Sequence, residues 1–295
     1  MKAWLKQYGS KLNIEHIGIA PAKTYKQLEK ILYARSKAVY YKMFDEQKIK
    51  TMTQPQLTLS DAKSVIVCLF PYFTGHNDQA NISKYTYGLD YHQVIKEKLT
   101  QLGEFLQIHI NDFQYQAFTD TGPLVDRYVA YLAGLGYRGI NTHMITDYYG
   151  SYFFIGYMIC NYPFELDLPL EKTCVRCGKC IEACPGNAIL GDFSINSLKC
   201  LSYITQKRKM LLEEEIVLLK KHHLVYGCDI CQDVCPHNQN VPITHIQAFR
   251  ENLLYRLDHE KICGMSNKEF KRMYGDRAFS WVGKKVICRN FEVMQ

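Results

Sequence analysis

The sequence has no hydrophobic run that could cross a bilayer and no recognisable export signal. Its longest apolar stretches, around residues 64–70 and 152–160, are much shorter than the ~20 residues of a membrane-spanning helix. Residues 1–7 contain no apolar core and no arginine pair. No segment is low in complexity, and a composition of 47% hydrophobic and 22% charged residues is typical of a folded globular protein. We therefore predict a cytoplasmic protein with no membrane partner.

Cysteine, in contrast, is abundant, with 12 in 295 residues. Structural disulfides are not expected, because the cytoplasm keeps thiols reduced. Two runs that each end in Cys-Pro contain Cys174, Cys177, Cys180 and Cys184, and then Cys228, Cys231 and Cys235. Cys200 stands alone between them. The other four, predicted to be buried free thiols, are Cys68, Cys160, Cys263 and Cys288.

The first run reproduces C-x2-C-x2-C-x3-C-P, the spacing of bacterial two-cluster ferredoxins, in which the fourth cysteine ligates the other cluster. Two 4Fe–4S clusters need eight thiolates, and the two runs together with Cys200 supply them. If the last cysteine of each run ligates the cluster of the other run, one cluster is held by Cys174, Cys177, Cys180 and Cys235. The same rule predicts a second set of Cys184, Cys200, Cys228 and Cys231. A zinc ribbon is the alternative, but it would separate its cysteine pairs by about fifty residues and leave four cysteines unused.

Helical and strand-like patterns alternate before the cysteines. Residues 64–70, 141–146 and 152–158 resemble strands, and residues 91–106 have the apolar spacing of an amphipathic helix. The fold class predicted is α/β (α+β), with helices covering a sheet. Prolines at 163 and 169 mark a boundary. We predict an α/β domain over 1–165, a ferredoxin-like two-cluster domain over 166–245, and a helical basic extension over 246–295 that packs on the core.

Residues 134–139 match G-x-G-x-x-G, the fingerprint of a dinucleotide site. That motif needs a strand before it and a helix after it, so that the pyrophosphate meets the helix N-terminus. Here the apolar residues before the glycines have helical spacing, and the residues after them resemble a strand. We predict that the glycines end a helix and that no NAD site is present.

Residues 119–127 contain Asp120, followed by Pro123, which suits the first turn of a helix. From the residues alone, capping by Asp120 is favoured over catalysis. His92, His143 and His237 show no ligand spacing and are interpreted as structural. A net charge of +7, with basic residues concentrated near the C-terminus, permits a nucleic-acid partner without requiring one.

With these segments together, the chain resembles epoxyqueuosine reductases, which are cobalamin- and iron–sulfur-dependent enzymes of tRNA modification related to reductive dehalogenases. The resemblance runs from about residue 10 to the end. It is carried by residues 87–92 (YGLDYH), 119–123 (TDTGP), 133–136 with 139 and 141–142, 200–203 (CLSY) and 226–232 (YGCDICQ).

The resemblance implies reduction of the epoxide of epoxyqueuosine to queuosine at the tRNA wobble position. Electrons would pass through two 4Fe–4S clusters to cobalamin, held by a cobalamin-binding domain followed by a bacterial-type ferredoxin module. It implies Asp120 as proton donor, with a pKa raised by desolvation over the corrin. The cofactor contacts that it implies are Asp120, Asn141, Thr142, Met144, Ser202 and Asp229.

The implied partners are a tRNA anticodon stem-loop carrying epoxyqueuosine and an unidentified low-potential electron donor, and the protein is expected to be a monomer. Two departures from the family are visible. Ile140 replaces a lysine that members commonly carry, and the chain ends at Gln295 where some members continue into helical repeats. The alternatives are a dehalogenase-like cobalamin enzyme acting on a small molecule and a plain ferredoxin-type electron carrier.

Overall fold

The computed structural model describes residues 1–38 and 45–295. The α-helices are α1 Lys2–Lys11, α2 Lys26–Ser36, α3 Glu46–Thr53, α4 Tyr91–His109, α5 Asp126–Leu132, α6 Lys179–Glu182, α7 Leu201–Gln206, α8 Glu213–His222, α9 Ile230–Asp233, α10 His259–Gly264, α11 Asn267–Tyr274 and α12 Lys284–Met294. The strands are β1 His16–Pro21, β2 Ser64–Pro71, β3 Tyr115–Thr119, β4 Tyr137–Arg138, β5 Met144–Ile145 and β6 Phe153–Cys160. Short 3-10 helices span Pro55–Leu57, Lys84–Thr86, Ser197–Lys199, Pro236–Asn238, Gln247–Phe249 and Ala278–Val282.

A four-stranded antiparallel sheet, in the order β1-β2-β6-β3, forms the centre of the first half of the chain. Every residue of β2 is buried, because both faces of this strand are covered. Side chains such as Ile66 and Phe70 join α1 and α4 in one core, whereas Val65 and Leu69 join α2, α3 and α5 in the other. The predicted layer of helices on a sheet is therefore confirmed, with antiparallel strands.

Most predicted elements of this half are confirmed, with one correction. The helix predicted over 91–106 is α4, which begins after the N-cap Asp90, whose carboxylate accepts a hydrogen bond from the His92 N–H. The strand predicted over 141–146 is wrong except at β5, since Thr142 has a φ of 69° and its N–H donates to the Gly139 carbonyl in a tight turn. The sequence predicts that the glycines of residues 134–139 follow a helix and precede a strand. This order is confirmed, because α5 precedes Gly134, which has a φ of 67°, and β4 follows it.

The C-terminal helices pack against residues from both earlier regions. Tyr87 and Tyr226 lie in one buried cluster with α10, α11 and α12. Arg277 is buried there, and its guanidinium donates to the carbonyls of Tyr87 (2.9 Å), Gly88 (3.1 Å) and Asn252 (2.7 Å). The C-terminal region therefore anchors the segment that leads into α4. The three-domain division stays a prediction.

The four cysteines outside the two runs fall into two groups. Cys68 and Cys160 are buried free thiols, as predicted. The same prediction is wrong for Cys263 and Cys288, which form a disulfide between α10 and α12. Their Cα atoms lie 5.6 Å apart in the packed helices, a separation that two cysteines 25 residues apart in sequence do not reveal. No helix in the described ranges is both long and apolar enough to cross a membrane.

Candidate functional site

Two adjoining cavities open where the sheet domain meets the cysteine-containing region. One has a volume of about 380 Å³ and the other about 820 Å³. They share wall residues, namely Asp120, Asp126, Arg127, Thr142, Met144 and Ile195. Ordinary small-molecule sites measure roughly 300–1,000 Å³, so together these cavities suit an unusually large ligand.

The smaller cavity brings together every residue for which the family resemblance implied a cofactor contact. Its lining includes Asp120, Asn141, Thr142, Met144, Ser202 and Asp229. These residues come from three separate stretches of sequence: the turn after β3, the turn before β5 with the first residue of that strand, and the cysteine-containing region. Its lining also includes three cysteines of the second predicted set: Cys200, Cys228 and Cys231. The cavity thus lies directly against the predicted position of one cluster.

Asp120 lies in the turn after β3, with a left-handed φ of 56°. Helix α5 begins only at Asp126, and its N-cap Val125 makes no side-chain cap, so the capping interpretation of Asp120 is wrong. Gly122 is required in this turn, because an added Cβ would lie 2.2 Å from the Tyr157 hydroxyl. The same hydroxyl accepts a hydrogen bond from the Leu124 N–H (2.9 Å) and so ties the turn to β6. The aspartate is thereby held at the cavity wall and not on a helix.

The Asp120 carboxylate is paired with His92. His92 Nε2 lies 3.4 Å from Asp120 Oδ2, and His92 Nδ1 lies 2.7 Å from Asp90 Oδ1. Tyr91 stacks on the imidazole with ring centroids 4.0 Å apart. Hydrogen bonds to Asp120 and then to Asp90 raise the pKa of His92 to about 9. An Asp–His–Asp chain therefore carries a protonated imidazole at neutral pH.

This pairing reverses the direction expected for Asp120. The hydrogen bond from His92 lowers the pKa of the Asp120 carboxyl, so the predicted rise is wrong. The second carboxyl of the cavity wall behaves differently, since burial raises the pKa of Asp126. Near neutral pH the proton next to Asp120 is therefore held on the imidazole of His92.

The cysteines of the first predicted set lie together, and three of the second set line the cavity beside Asp120. Those of the first predicted set, Cys174, Cys177, Cys180 and Cys235, surround one small enclosed cavity. Ile140 and Ile145 complete its wall, so the residue that replaces the family lysine packs against these thiols. In the second set, burial raises the pKa of the Cys231 thiol well above its ordinary value, and the neighbouring Cys228, Cys200 and Cys184 raise it further. Asn141 lines both the cavity enclosed by the first cysteine set and the cavity of about 380 Å³ beside Asp120.

The chemistry of these thiols fits a bound cluster. Burial raises the pKa of Cys180 to about 11 and that of Cys228 to about 12, so these thiols need a cation to hold them as thiolates. In the ranges 1–38 and 45–295, no group of three or more His, Cys, Asp or Glu side chains converges on one point as a single ion requires. Four sulfurs placed around a cavity are instead what a 4Fe–4S cluster needs.

Hydrogen bonds hold two of the predicted contact residues, Thr142 and Asp229, in place. Arg127 donates to the Thr142 carbonyl (3.1 Å) and hydroxyl (3.3 Å), and so holds a strained, β-branched residue with positive φ at the cavity. The buried Asp229 accepts hydrogen bonds from the Ser83 hydroxyl and the Lys84 N–H. Asp229 therefore ties the segment before α4 to the cysteine-containing region.

Sequence reasoning missed three site residues. The spacing of His92 and His143 predicts structural roles, yet His92 pairs with Asp120 and His143 Nε2 lies 3.9 Å from the Cys231 sulfur. Arg127 was not assigned to the site, although it lines both cavities. The position of His92 two residues after Asp90, a helix N-cap, was a usable signal, because an N-cap carboxylate can also orient a nearby side chain.

Family models match two parts of the chain. A model described as 4Fe-4S double cluster binding domain matches residues 173–238, which include all eight predicted ligands. A model described as Epoxyqueuosine reductase QueG, DUF1730 matches residues 53–121, which end just after Asp120.

Curated proteins and solved structures of one enzyme are similar to nearly the whole chain. An epoxyqueuosine reductase of Lactococcus garvieae is 35% identical over 98% of this chain and 85% of its own length. A solved epoxyqueuosine reductase with a tRNA-Tyr epoxyqueuosine-modified stem loop superposes with a TM-score of 0.90, at 32% identity, over 99% of this chain and 80% of that one. The enzyme from Bacillus subtilis, with a catalytic aspartate loop swung out of its active site, gives a TM-score of 0.89 at 32% identity, with the same coverage.

A more distant likeness concerns the fold alone. A catabolic reductive dehalogenase superposes with a TM-score of 0.51 at 16% identity, over 83% of this chain and 32% of that one. The sheet, its helices and the cysteine-containing region therefore form an arrangement that more than one kind of reductase uses.

Proposed function

This chain belongs to the epoxyqueuosine reductase family, and from that premise we propose that it reduces the epoxide of epoxyqueuosine in tRNA to queuosine. The observation that carries the proposal is the cavity of about 380 Å³, where the Asp120 carboxylate and three predicted cluster cysteines line a single space. A plain electron carrier would not need such a cavity. The family relationship disfavours a small-molecule dehalogenase.

The reaction sets what the site must provide. Removing the epoxide oxygen as water breaks two C–O bonds and consumes two electrons and two protons. The cofactors are two 4Fe–4S clusters and cobalamin; the clusters deliver electrons one at a time, and cobalamin supplies a low-potential metal centre that can react at the epoxide carbon. The protein itself must hold these groups, orient the nucleoside and deliver protons to the oxygen.

We assign the two cysteine sets to the two clusters. The set of Cys184, Cys200, Cys228 and Cys231 would hold the cluster beside the substrate cavity. The set of Cys174, Cys177, Cys180 and Cys235 would hold the more distant one, from which electrons enter. The shared wall at Asn141 supports a short path between them, since this residue lines both cavities and its amide donates to the Cys231 carbonyl (3.3 Å).

Cobalamin is assigned to the two adjoining cavities. The family-implied contacts Asn141, Thr142, Met144, Ser202 and Asp229 support this assignment because all of them line the smaller cavity. Thr142 and Met144 also line the larger one, so the turn before β5 and the first residue of that strand would contact the cofactor on two sides.

Asp120 and His92 are assigned to proton delivery. The Asp120 carboxylate faces the cavity, and the His92 imidazolium behind it holds a proton that can pass through this pair to the departing oxygen. Asp90 keeps Nε2 of His92 directed at Asp120 by binding Nδ1. The catalytic proton therefore belongs to the pair, with Asp120 nearest the substrate.

The partners follow from this chemistry. The substrate is a tRNA anticodon stem-loop with epoxyqueuosine at the wobble position, and a low-potential one-electron donor must reduce the clusters. We propose that the protein acts as a monomer in the cytoplasm, where tRNA is modified.

The test is anaerobic reconstitution with iron, sulfide and cobalamin, followed by mass spectrometry of an epoxyqueuosine-containing stem-loop. We expect conversion by the wild type and its loss in Cys231→Ala, together with part of the bound iron. The matched control is Cys68→Ala, which removes a buried thiol outside both sets and should keep both iron and activity. Full conversion by Cys231→Ala would disprove the ligand assignment, and no conversion by the reconstituted wild type would disprove the function.

A further inference from the structure

Trp281 is an exposed indole on the 3-10 helix Ala278–Val282. It is one of only two tryptophans in the chain, and 55% of its surface is accessible to solvent. An indole usually gains stability from burial, and this one sits next to a well-packed cluster that includes Phe279 and Val282. Its exposure leaves an aromatic surface available to a partner.

Hydrogen bonds connect this indole to the wall of the substrate cavity. Trp281 Nε1 donates to the Tyr226 hydroxyl (2.7 Å), which also accepts from the Tyr85 hydroxyl (3.2 Å). Tyr85 lines the cavity that contains Asp120. The Tyr226 hydroxyl therefore links the indole nitrogen of Trp281 to Tyr85, a residue of the cavity wall.

A second connection reaches the same cavity from another side. The Tyr226 hydroxyl donates to Gln206 Oε1 (3.2 Å), and Gln206 Nε2 donates to the Ser202 hydroxyl (3.2 Å). Ser202 also lines the cavity. Because Tyr226 is almost fully buried and both routes pass through its one hydroxyl, the indole is tied by hydrogen bonds to the wall of the cavity.

The charge beside the indole has the sign that a phosphate backbone requires. The Arg208 guanidinium carbon lies over one face of the Trp281 ring, 5.1 Å from its centroid, and Arg208 Nη2 donates to the Trp281 carbonyl (2.7 Å). Lys209 follows and is exposed, and Met210 beyond it is 90% exposed. An exposed π surface with flanking cations is the combination by which proteins bind unpaired bases and their phosphates.

We propose that Trp281, with Arg208 and Lys209, is a stacking platform for the unpaired base next to the modified nucleoside in the anticodon loop. The inference rests on the proposed function, since it concerns the same RNA at the same cavity. A nucleoside that enters the cavity must leave the base stack, and its neighbour then loses one stacking partner. An exposed indole tied to the cavity wall replaces that partner and lets the loop remain ordered while its wobble nucleoside is inside.

The two tryptophans allow a direct optical test in the cofactor-loaded protein. In Trp4→Phe, Trp281 is the only tryptophan, and we expect its fluorescence to be quenched by an unmodified anticodon stem-loop RNA. The matched control is Trp281→Phe, which retains only Trp4 on α1, next to His109 (ring centroids 5.8 Å apart), and should show no quenching. A fully paired RNA hairpin and a stem-loop with an abasic neighbour should leave Trp281 unquenched.

Kinetics separate stacking from a structural role. Trp281→Ala should raise KM for the epoxyqueuosine stem-loop about 10-fold to 100-fold with little change in kcat, and Trp281→Phe should restore most of the loss. Arg208→Gln, an exposed change that does not touch the core, should raise KM in the same direction. If Trp281→Ala does not fold, Arg208→Gln together with the Trp281 fluorescence carries the test.

Each outcome is decisive. Conversion of the stem-loop without quenching of Trp281 overturns the platform and leaves the proposed function intact. Equal quenching by the paired hairpin or by polyglutamate also overturns it, because only charge would then be recognised. Quenching by the stem-loop in a protein that does not reduce epoxyqueuosine would support the platform and refute the reaction.

Discussion

Asp90→Asn isolates the electrostatic part of the His92 site, because asparagine keeps the helix cap and loses the charge. The Asp90 carboxylate accepts from the His92 N–H (3.0 Å) and binds His92 Nδ1 (2.7 Å). Asparagine caps helices about as well as aspartate, so α4 should retain its N-terminus. The remaining change is a weaker partner for the imidazolium.

The size of the effect follows from this contact. A hydrogen bond to a charged group contributes about 1.5–3 kcal/mol, but the His92 side chain is 37% exposed and solvent screens it. We therefore expect Asp90→Asn to weaken the interaction with the His92 imidazolium by about 1 kcal/mol. This loss lowers the pKa of His92 by a little less than one unit. Asp120, the larger cause of the shift, is untouched, so the pKa of His92 should fall but stay above 6.5.

The sign of the pH dependence follows from the raised pKa. The contribution of the His92 pair to stability is complete below pH 6.5 and is lost as the pH rises through about 9. If the imidazolium supplies the proton, single-turnover conversion should fall over the same alkaline range, and Asp90→Asn should move that fall to lower pH.

The assay is single-turnover conversion of the epoxyqueuosine stem-loop, measured by mass spectrometry. The pH series spans the ordinary histidine pKa of 6.5 and the raised value of about 9. Asp258→Asn is the matched control, since Asp258 caps α10 through the Lys261 N–H (2.8 Å), away from the cavity. It should leave the pH profile unchanged. An alkaline limb that stays in place in Asp90→Asn, or that survives in His92→Gln, would refute the role of His92.

Three further changes test the site and its support. Asp120→Asn should retain cobalamin, seen by its visible absorption, while conversion falls by about 10²–10⁴-fold; wild-type rates would remove Asp120 from the mechanism. Gly122→Ala should reduce the free energy of unfolding by about 1–3 kcal/mol and slow conversion, because its Cβ would meet the Tyr157 hydroxyl. The destabilisation would be seen as a lower Tm, and an unchanged Tm would contradict the turn geometry. Lys84→Met should destabilise the protein by about 3–5 kcal/mol in denaturant unfolding, since it leaves the buried Asp229 (3.8 Å from Lys84 Nζ) as well as Asp233 (2.7 Å) without their cation; unchanged stability would show that these ion pairs are not needed.

The strands and the long helix could be predicted because each depends on local residues. The apolar run of β2 indicates a strand buried on both faces, and the apolar spacing in α4 indicates a helix with one buried side. The helical pattern of the sequence extends over residues 207–223, whereas α8 begins only at Glu213. Arg289, from α12, binds the carbonyls of Lys207 and Lys209, and that distant contact holds the segment out of a helix.

What the sequence determined by itself was the chemistry of the ligands, because a ferredoxin-type spacing of thiols imposes cluster ligation wherever the chain folds. What only the tertiary structure decided was the protonation of the site and the pairing of the remaining cysteines. His92 and Asp120 are 28 residues apart, and Cys263 and Cys288 are 25 apart. A pKa and a disulfide depend on distances of a few ångströms, and packing alone sets these distances between residues far apart in sequence.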